Sequence, residues 1–182
     1  MRYVALLRGI NVGGKSLIRM AALRECVEGL GLDDVTTYIA SGNVLFRSRE
    51  RDPARLDTLL EQAIERHFAL PVRVVVRSAR EITRIAAGIP EAWIGVPELR
   101  VTVGFVLRGA GAGSIARLLT PKEGIDQLVT LPGALAWATR RDALTRTGLR
   151  LVGTAPYKQM TLRNLNTTLK LAELVRPGDA PA

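Results

Sequence analysis

The stretch TTYIASGNVLFRS, residues 36–48, does most to limit what this chain can fold into. Two short runs rich in Thr, Tyr, Ile, Val and Phe flank Ser41-Gly42-Asn43, the pattern of a β-hairpin whose turn uses Gly and Asn for positive φ. Helical patterns stand on both sides of it. Before it, Met20, Leu23, Val27 and Leu30 recur at steps of 3, 4 and 3, and Gly29 and Gly31 end the run. After it, Asp52 reads as an N-cap and Pro53 as the first helical residue, with Leu56, Leu60, Ala63, Ile64 and Phe68 as the buried stripe. Residues 2–8 are apolar on both faces, as a central strand requires. In VRVVVRS, Val72, Val74 and Val76 fall on one face and Arg73, Val75 and Arg77 on the other. The order over residues 1–78 is therefore β-α-β-β-α-β, the split, ferredoxin-like arrangement of an α+β fold.

The second half echoes this order. EITRIAAGI suggests a short helix, LRVTVGFVLR a strand, GSIARLLT another helix, and DQLVTLPGALAWATR a hairpin turning at Pro132-Gly133. A final helix is expected from Thr161, leaving this half without a clear last strand. The expected organisation is a ferredoxin-like half over 1–78, a related α+β half over 79–176 packed on it, and a loose tail over 177–182.

Composition narrows the chemistry. An apolar fraction of 47% with 24% charged residues describes a globular chain. No apolar run nears the roughly 18 residues of a membrane span, and MRYVALLRG lacks a signal-peptide pattern, so a cytoplasmic location without membrane contact is expected. One cysteine, Cys26, excludes an internal disulfide, and with one histidine, His67, it cannot supply a zinc site. Neither residue has the neighbours of a catalytic nucleophile or triad. No metal and no cofactor are expected. Lys and Arg number 26 against 17 Asp and Glu, a net charge of +9, which favours anionic ligands or polyanions. Only Lys15, Lys122, Lys158 and Lys170 are lysines, and an arginine bias of that kind can also follow from a GC-rich genome.

Residues 9–16, GINVGGKS, match the P-loop pattern literally. A working P-loop launches its helix from Gly-Lys-Ser and needs an Asp at the end of a second parallel strand. Here the helical face is clearest only from Met20, the next strands form a hairpin, and VLFRS, VVVRS and FVLRG each carry Arg near the strand end. The stretch reads better as a Gly-rich strand-exit loop, with a nucleotide-binding P-loop as a minority alternative.

ALLRGINVGGKSLIRMAALR (5–24), YIASGNVLF (38–46) and YKQMTLRNLNTTLKLAEL (157–174) resemble, in order and spacing, the hallmark segments of domain-of-unknown-function family 1697, a group of small bacterial proteins. The resemblance implies an α+β, ferredoxin-like fold and no assigned activity. It also implies that a hydroxyl at Ser16 is not a family feature. Ala40 stands where the family commonly has Gln, and Leu165 where it commonly has Trp.

In the last segment, with Thr161 as N-cap, Leu162, Leu165, Leu169 and Ala172 would form an apolar helical stripe. Arg163, Asn166, Thr167 and Lys170 would share a polar face suited to an anion, although every amphipathic helix has such a face. The candidate ligand-binding residues are Arg8, Asn11, Gly13, Gly14, Lys15, Ser41, Gly42, Asn43, Tyr157, Lys158, Arg163, Asn166, Thr167 and Lys170, if these segments converge on one cleft. The expected function is a binding module for a phosphate-bearing small molecule or nucleic acid. An enzyme acting on a small anionic substrate is the alternative, for which the sequence names no general base. Oligomeric state is left open.

Overall fold

The computed structural model describes residues 1–13 and 17–176. The expected loose tail over 177–182 lies outside the described residues. The chain divides into two compact units, Met1–Ile82 with the stretch from Glu173, and Thr83–Ala172.

The first unit runs β1 (Arg2–Leu7), α1 (Met20–Glu28), β2 (Asp33–Tyr38), β3 (Asn43–Arg47), α2 (Pro53–Phe68) and β4 (Val74–Ser78). Its sheet has the order β2-β3-β1-β4 with every neighbouring pair antiparallel, the ferredoxin-like arrangement expected from the hairpin between two helices. Register places Tyr3 between Phe46 and Ser78, and Ala5 between Val44 and Val76. That face carries Tyr3, Ala5, Leu7, Val44, Phe46, Val74 and Val76 into one core with Leu23 and Val27 of α1 and Leu56, Leu60 and Ile64 of α2. The Tyr3 ring stacks on Phe46 at 5.7 Å, and its hydroxyl donates to the Glu50 carbonyl at 2.8 Å. Val4, Leu6, Leu45 and Val75, on the opposite face, are buried too, which is why β1 is apolar on both faces from Tyr3 to Leu7.

Local chemistry fixes the ends of α2. Asp52 accepts from the Ala54 N–H at 2.9 Å with Pro53 next to it, and Ala69 closes the helix in the left-handed region at φ 53°. The hairpin turn differs in detail from the sequence expectation. Asn43 is inside β3 and fully buried, and positive φ falls on Ile39 (50°) and Gly42 (75°) instead. Gly42 is obligatory because a side chain there would collide with Ile10 and Leu7.

β4 is a sheet edge, and α2 covers it with carboxylates. Asp57 and Glu61, one helical turn apart, accept from the N–H groups of Val76 at 2.6 Å and Val74 at 2.8 Å, the alternate residues whose donors face away from β1. Arg73 closes the array on Glu61 at 2.9 Å.

In the second unit β5 (Leu99–Val106), α4 (Ala112–Ala116), β6 (Asp126–Leu131), β7 (Ala134–Arg140), α5 (Ala155–Lys158) and β8 (Met160–Asn164) repeat the order, with sheet β6-β7-β5-β8 again antiparallel. Each last strand runs straight into a helix. Ser78 and Glu81 form a reciprocal capping box at the start of α3 (Ala79–Ala87), and Asn164 accepts from the Thr167 N–H at 2.7 Å to start α6 (Leu165–Leu174). The expectation of a helix from Thr161 and of a missing last strand is corrected here. Residues 160–164 pair with Val106 through Thr102 of β5, and this ladder outweighs the helical spacing of Leu162 and Leu165. The N-cap is Asn164, three residues later than Thr161.

Replacing Asp57 with Ala should cost about 1–3 kcal/mol in urea unfolding, because it strips the acceptor from a buried edge N–H. Asp57→Asn, which keeps the carbonyl acceptor, should recover most of that loss.

Candidate anion-binding groove

In the first unit the strand-exit loop and the hairpin turn meet through one side chain. Asn11, at φ 54°, donates both Nδ2 hydrogens, to the Ile18 carbonyl at 3.0 Å and the Ala40 carbonyl at 2.8 Å. Its Oδ1 accepts from the Ile18 N–H at 2.8 Å. The Leu7 N–H donates to the Gly42 carbonyl at 2.8 Å and the Arg8 N–H to Arg73 at 2.9 Å. Asn43 donates to the Tyr38 carbonyl and Ser41 Oγ. The amides of Asn11 and Asn43 are thus engaged in shaping these loops. Gly9 and Gly13 hold positive φ beside Asn11, as a tight loop needs. Gly14 and Lys15 lie outside the described residues, as does Ser16. Of the P-loop requirements, the described residues meet neither: α1 starts at Met20 with Arg19 as N-cap, and β1 has only antiparallel neighbours.

A hollow of about 560 Å³ in this unit is lined by Asp33, Glu50, Arg49 and Arg55 among others, with Glu50 and Arg55 paired at 3.4 Å. Its charges balance, so it has no preference for an anion.

The second unit holds a larger feature. Its sheet face carrying Arg100, Thr102, Gly104, Leu135, Trp137, Thr139, Leu162 and Asn164 is only partly roofed, since α4 and α5 span five and four residues. The apolar part is closed by Ile115, Leu119, Leu149 and Leu151, which share one cluster with Leu135 and Trp137. Gly104 lets Met160 and Trp137 settle onto β5, since a Cβ there would strike both. The uncovered part is a groove of about 1030 Å³. Both tryptophans of the chain line it, Trp93 and Trp137, 3% and 6% exposed. Arg100, Arg141, Arg150 and Arg163 line it as well, and among the described residues no Asp or Glu does.

These arginines differ in freedom. Arg100 is exposed, and its side chain has no hydrogen-bond or ion-pair partner among the described residues. Arg141 donates from Nε to the Pro97 carbonyl at 2.8 Å, and Arg150 donates to the Thr145 carbonyl. Both are otherwise exposed, so each has donors left for a ligand. Arg163 falls, by strand alternation, on the opposite face from Asn164. There it is 6% exposed and donates to Thr161 Oγ1 at 2.9 Å and the Leu162 carbonyl at 2.8 Å, and burial pulls its pKa down to about 10.

One buried carboxylate holds the groove's wall. Asp126 Oδ1 accepts from Thr139 at 2.8 Å and Thr147 at 2.6 Å, while Oδ2 accepts from the N–H groups of Lys122 at 3.0 Å and Gly148 at 2.9 Å. Burial by itself would raise its pKa, but the four hydrogen bonds outweigh it and hold Asp126 below the ordinary 3.8. Gly148 is required beside it, because a side chain would fall on the Thr120 carbonyl. Thr139 and Thr147 both line the groove, so the carboxylate fixes the segment that carries Arg141 and Arg150.

The C-terminal candidates separate. Arg163 and Asn166 line the groove, Asn166 being exposed. Thr167 is buried, its N–H spent on Asn164. Lys170 is half-buried on α6, Tyr157 packs on the apolar cluster under α5, and Lys158 is exposed. The shared polar face of Arg163, Asn166, Thr167 and Lys170 does not exist as expected, since Arg163 is on a strand and the others on a helix. Arg100, Arg141 and Arg150 lay too far apart in the sequence to form a motif. The two tryptophans in a chain of 4% aromatics were the one signal. Cys26 is half-buried, and burial pushes its thiol up. Among the described residues no three of His, Cys, Asp and Glu gather as metal ligands, and no helix is long and apolar enough to cross a membrane.

Asn11→Ala should cost about 1–2 kcal/mol and speed amide exchange at Ile18, because three hydrogen bonds go with it. Asp126 makes a pH-dependent contribution of known sign. The unfolded state binds its proton more readily, so the stabilisation is complete above the ordinary 3.8 and falls away as pH drops through the lower folded value. Urea unfolding between pH 2 and 6 should show that slope, and Asp126→Asn should flatten it while costing roughly 1–3 kcal/mol at neutral pH.

Residues 1–135 match the family model described as "Protein of unknown function (DUF1697)". No curated protein matches the chain. The solved structure of the conserved bacterial protein SP0830 from Streptococcus pneumoniae is similar at a TM-score of 0.84 and 27% identity, over 96% of this chain and 98% of that one. That neighbour has the same α+β fold, and the chain belongs to the DUF1697 family.

Proposed function

We propose that this protein is a cytoplasmic binding module for a phosphate-bearing ligand seated in the groove of its second unit. The observation that carries the reading is the lining itself: arginines and neutral groups around about 1030 Å³, with no carboxylate among the described lining residues. Arg100, Arg141 and Arg150 offer paired N–H donors of the geometry that phosphate oxygens accept. Among the described residues the lining has no Asp, Glu, His or Cys to serve as a general base, which favours binding over turnover. Nucleic acid is the weaker partner, because both tryptophans are buried and offer no stacking platform for a splayed base.

The same tryptophans make a built-in reporter. Titration with phosphorylated metabolites should change their fluorescence, and the signal should weaken with salt as exposed charge pairs are screened. Arg100→Ala and Arg141→Ala should each lower affinity by about tenfold, the effect of one charge-assisted hydrogen-bonded contact, and Arg100→Ala, which breaks no side-chain hydrogen bond, should leave the melting temperature unchanged. Unaltered fluorescence across a broad panel, or affinity indifferent to both variants, would rule the groove out.

A further inference from the structure

Register arranges the groove's polar groups in sequence along β5. Thr102 stands directly opposite Asn164 of β8 on one side and Trp137 of β7 on the other. Arg100, on the same face, is two residues further toward the start of β5, roughly 7 Å at the strand's rise per residue. Arg141 continues this direction, two residues beyond Thr139, the partner of Arg100. The groove thus has one end of hydroxyl and amide groups, where the only nearby guanidinium among the described residues, Arg163, is buried and donates to its own strand, and one end of exposed guanidinium groups.

The hydroxyl and amide end has hydrogen-bonding capacity to spare. Asn164 uses Oδ1 to cap α6, and its Nδ2 has no partner among the described residues. Asn166 lines the groove and is exposed, and neither its amide nor the Thr102 hydroxyl has a partner among the described residues. A simple phosphate or sugar phosphate would satisfy the arginines and leave these groups idle. Amide and hydroxyl side chains side by side are the groups that read the edge of a heterocyclic base.

We infer that the ligand is a mononucleotide, its phosphate on Arg100 and Arg141 and its base edge on Thr102, Asn164 and Asn166. This deepens the reading of the groove as a phosphate site and rests on it. The ring lies against the sheet face beside Trp137 without needing an exposed aromatic.

Calorimetric titration of the full chain should compare the four common nucleoside monophosphates with ribose 5-phosphate, inorganic phosphate and an eight-nucleotide single strand. At least one nucleotide should bind tenfold or more tightly than ribose 5-phosphate. Thr102→Val keeps the β-branched strand residue, and Asn166→Ala changes an exposed side chain, so circular dichroism should report intact folds. Both should reduce nucleotide affinity toward that of ribose 5-phosphate while leaving the latter unchanged. Equal binding of ribose 5-phosphate and all four nucleotides overturns base recognition and leaves the phosphate site standing. Tighter binding of the single strand than of any mononucleotide also overturns it, in favour of an extended chain. Binding of none of these ligands overturns both readings.

Discussion

The carboxylates of α2 on the edge of β4 are the interaction on which the first unit depends. An antiparallel sheet ending in β4 presents outward N–H groups that need acceptors once a helix covers them. Asp57 and Glu61 sit one turn apart on the helix while Val74 and Val76 sit two apart on the strand, so the two periodicities coincide there. A helix of 16 residues is long enough to do this and still lay Leu56, Leu60 and Ile64 on the sheet. One element closes the edge and, with α1, the face.

The second unit repeats the strand order with that element cut down. Its counterpart, α5, has four residues, and α4 has five. The same topology with less roof leaves part of a sheet face open, and the groove is the consequence. Loop residues 141–154 take over part of the covering, but a loop lacks a helix's internal hydrogen bonds and needs an outside anchor. Asp126 provides it by accepting from two threonine hydroxyls and two backbone N–H groups at once. An apolar core residue at 126 would leave those donors unsatisfied.

The loops that look most functional in the sequence carry a different load. Asn11 and Asn43 use their amides on neighbouring backbone, and Gly42 clears space for Ile10 and Leu7. Ile39 is held at φ 50°, an unfavourable place for a β-branched residue, beside the carbonyl that Asn11 binds. These residues define a loop junction whose polar groups are largely turned inward. The groove residues are the reverse case. Arg100, Thr102 and Asn166 occupy positions that local patterning treats as ordinary exposed sites, and that they line one groove shows only when β5, β8 and the start of α6 are placed together.

By itself the sequence determined the α+β class, the first split βαβ unit, the Asp52-Pro53 helix start and both hairpins, because these follow from residues close together in the chain. It also identified the family through three segments in order. Tertiary structure decided that residues 160–164 are a strand, since Met160 to Asn164 gain five pairings with β5 that no local window contains. It decided the same way that Arg163 is buried among its own strand's acceptors. And it decided where the groove lies, because a groove is made by what fails to cover a sheet face, and α4 and α5 are too short to cover this one.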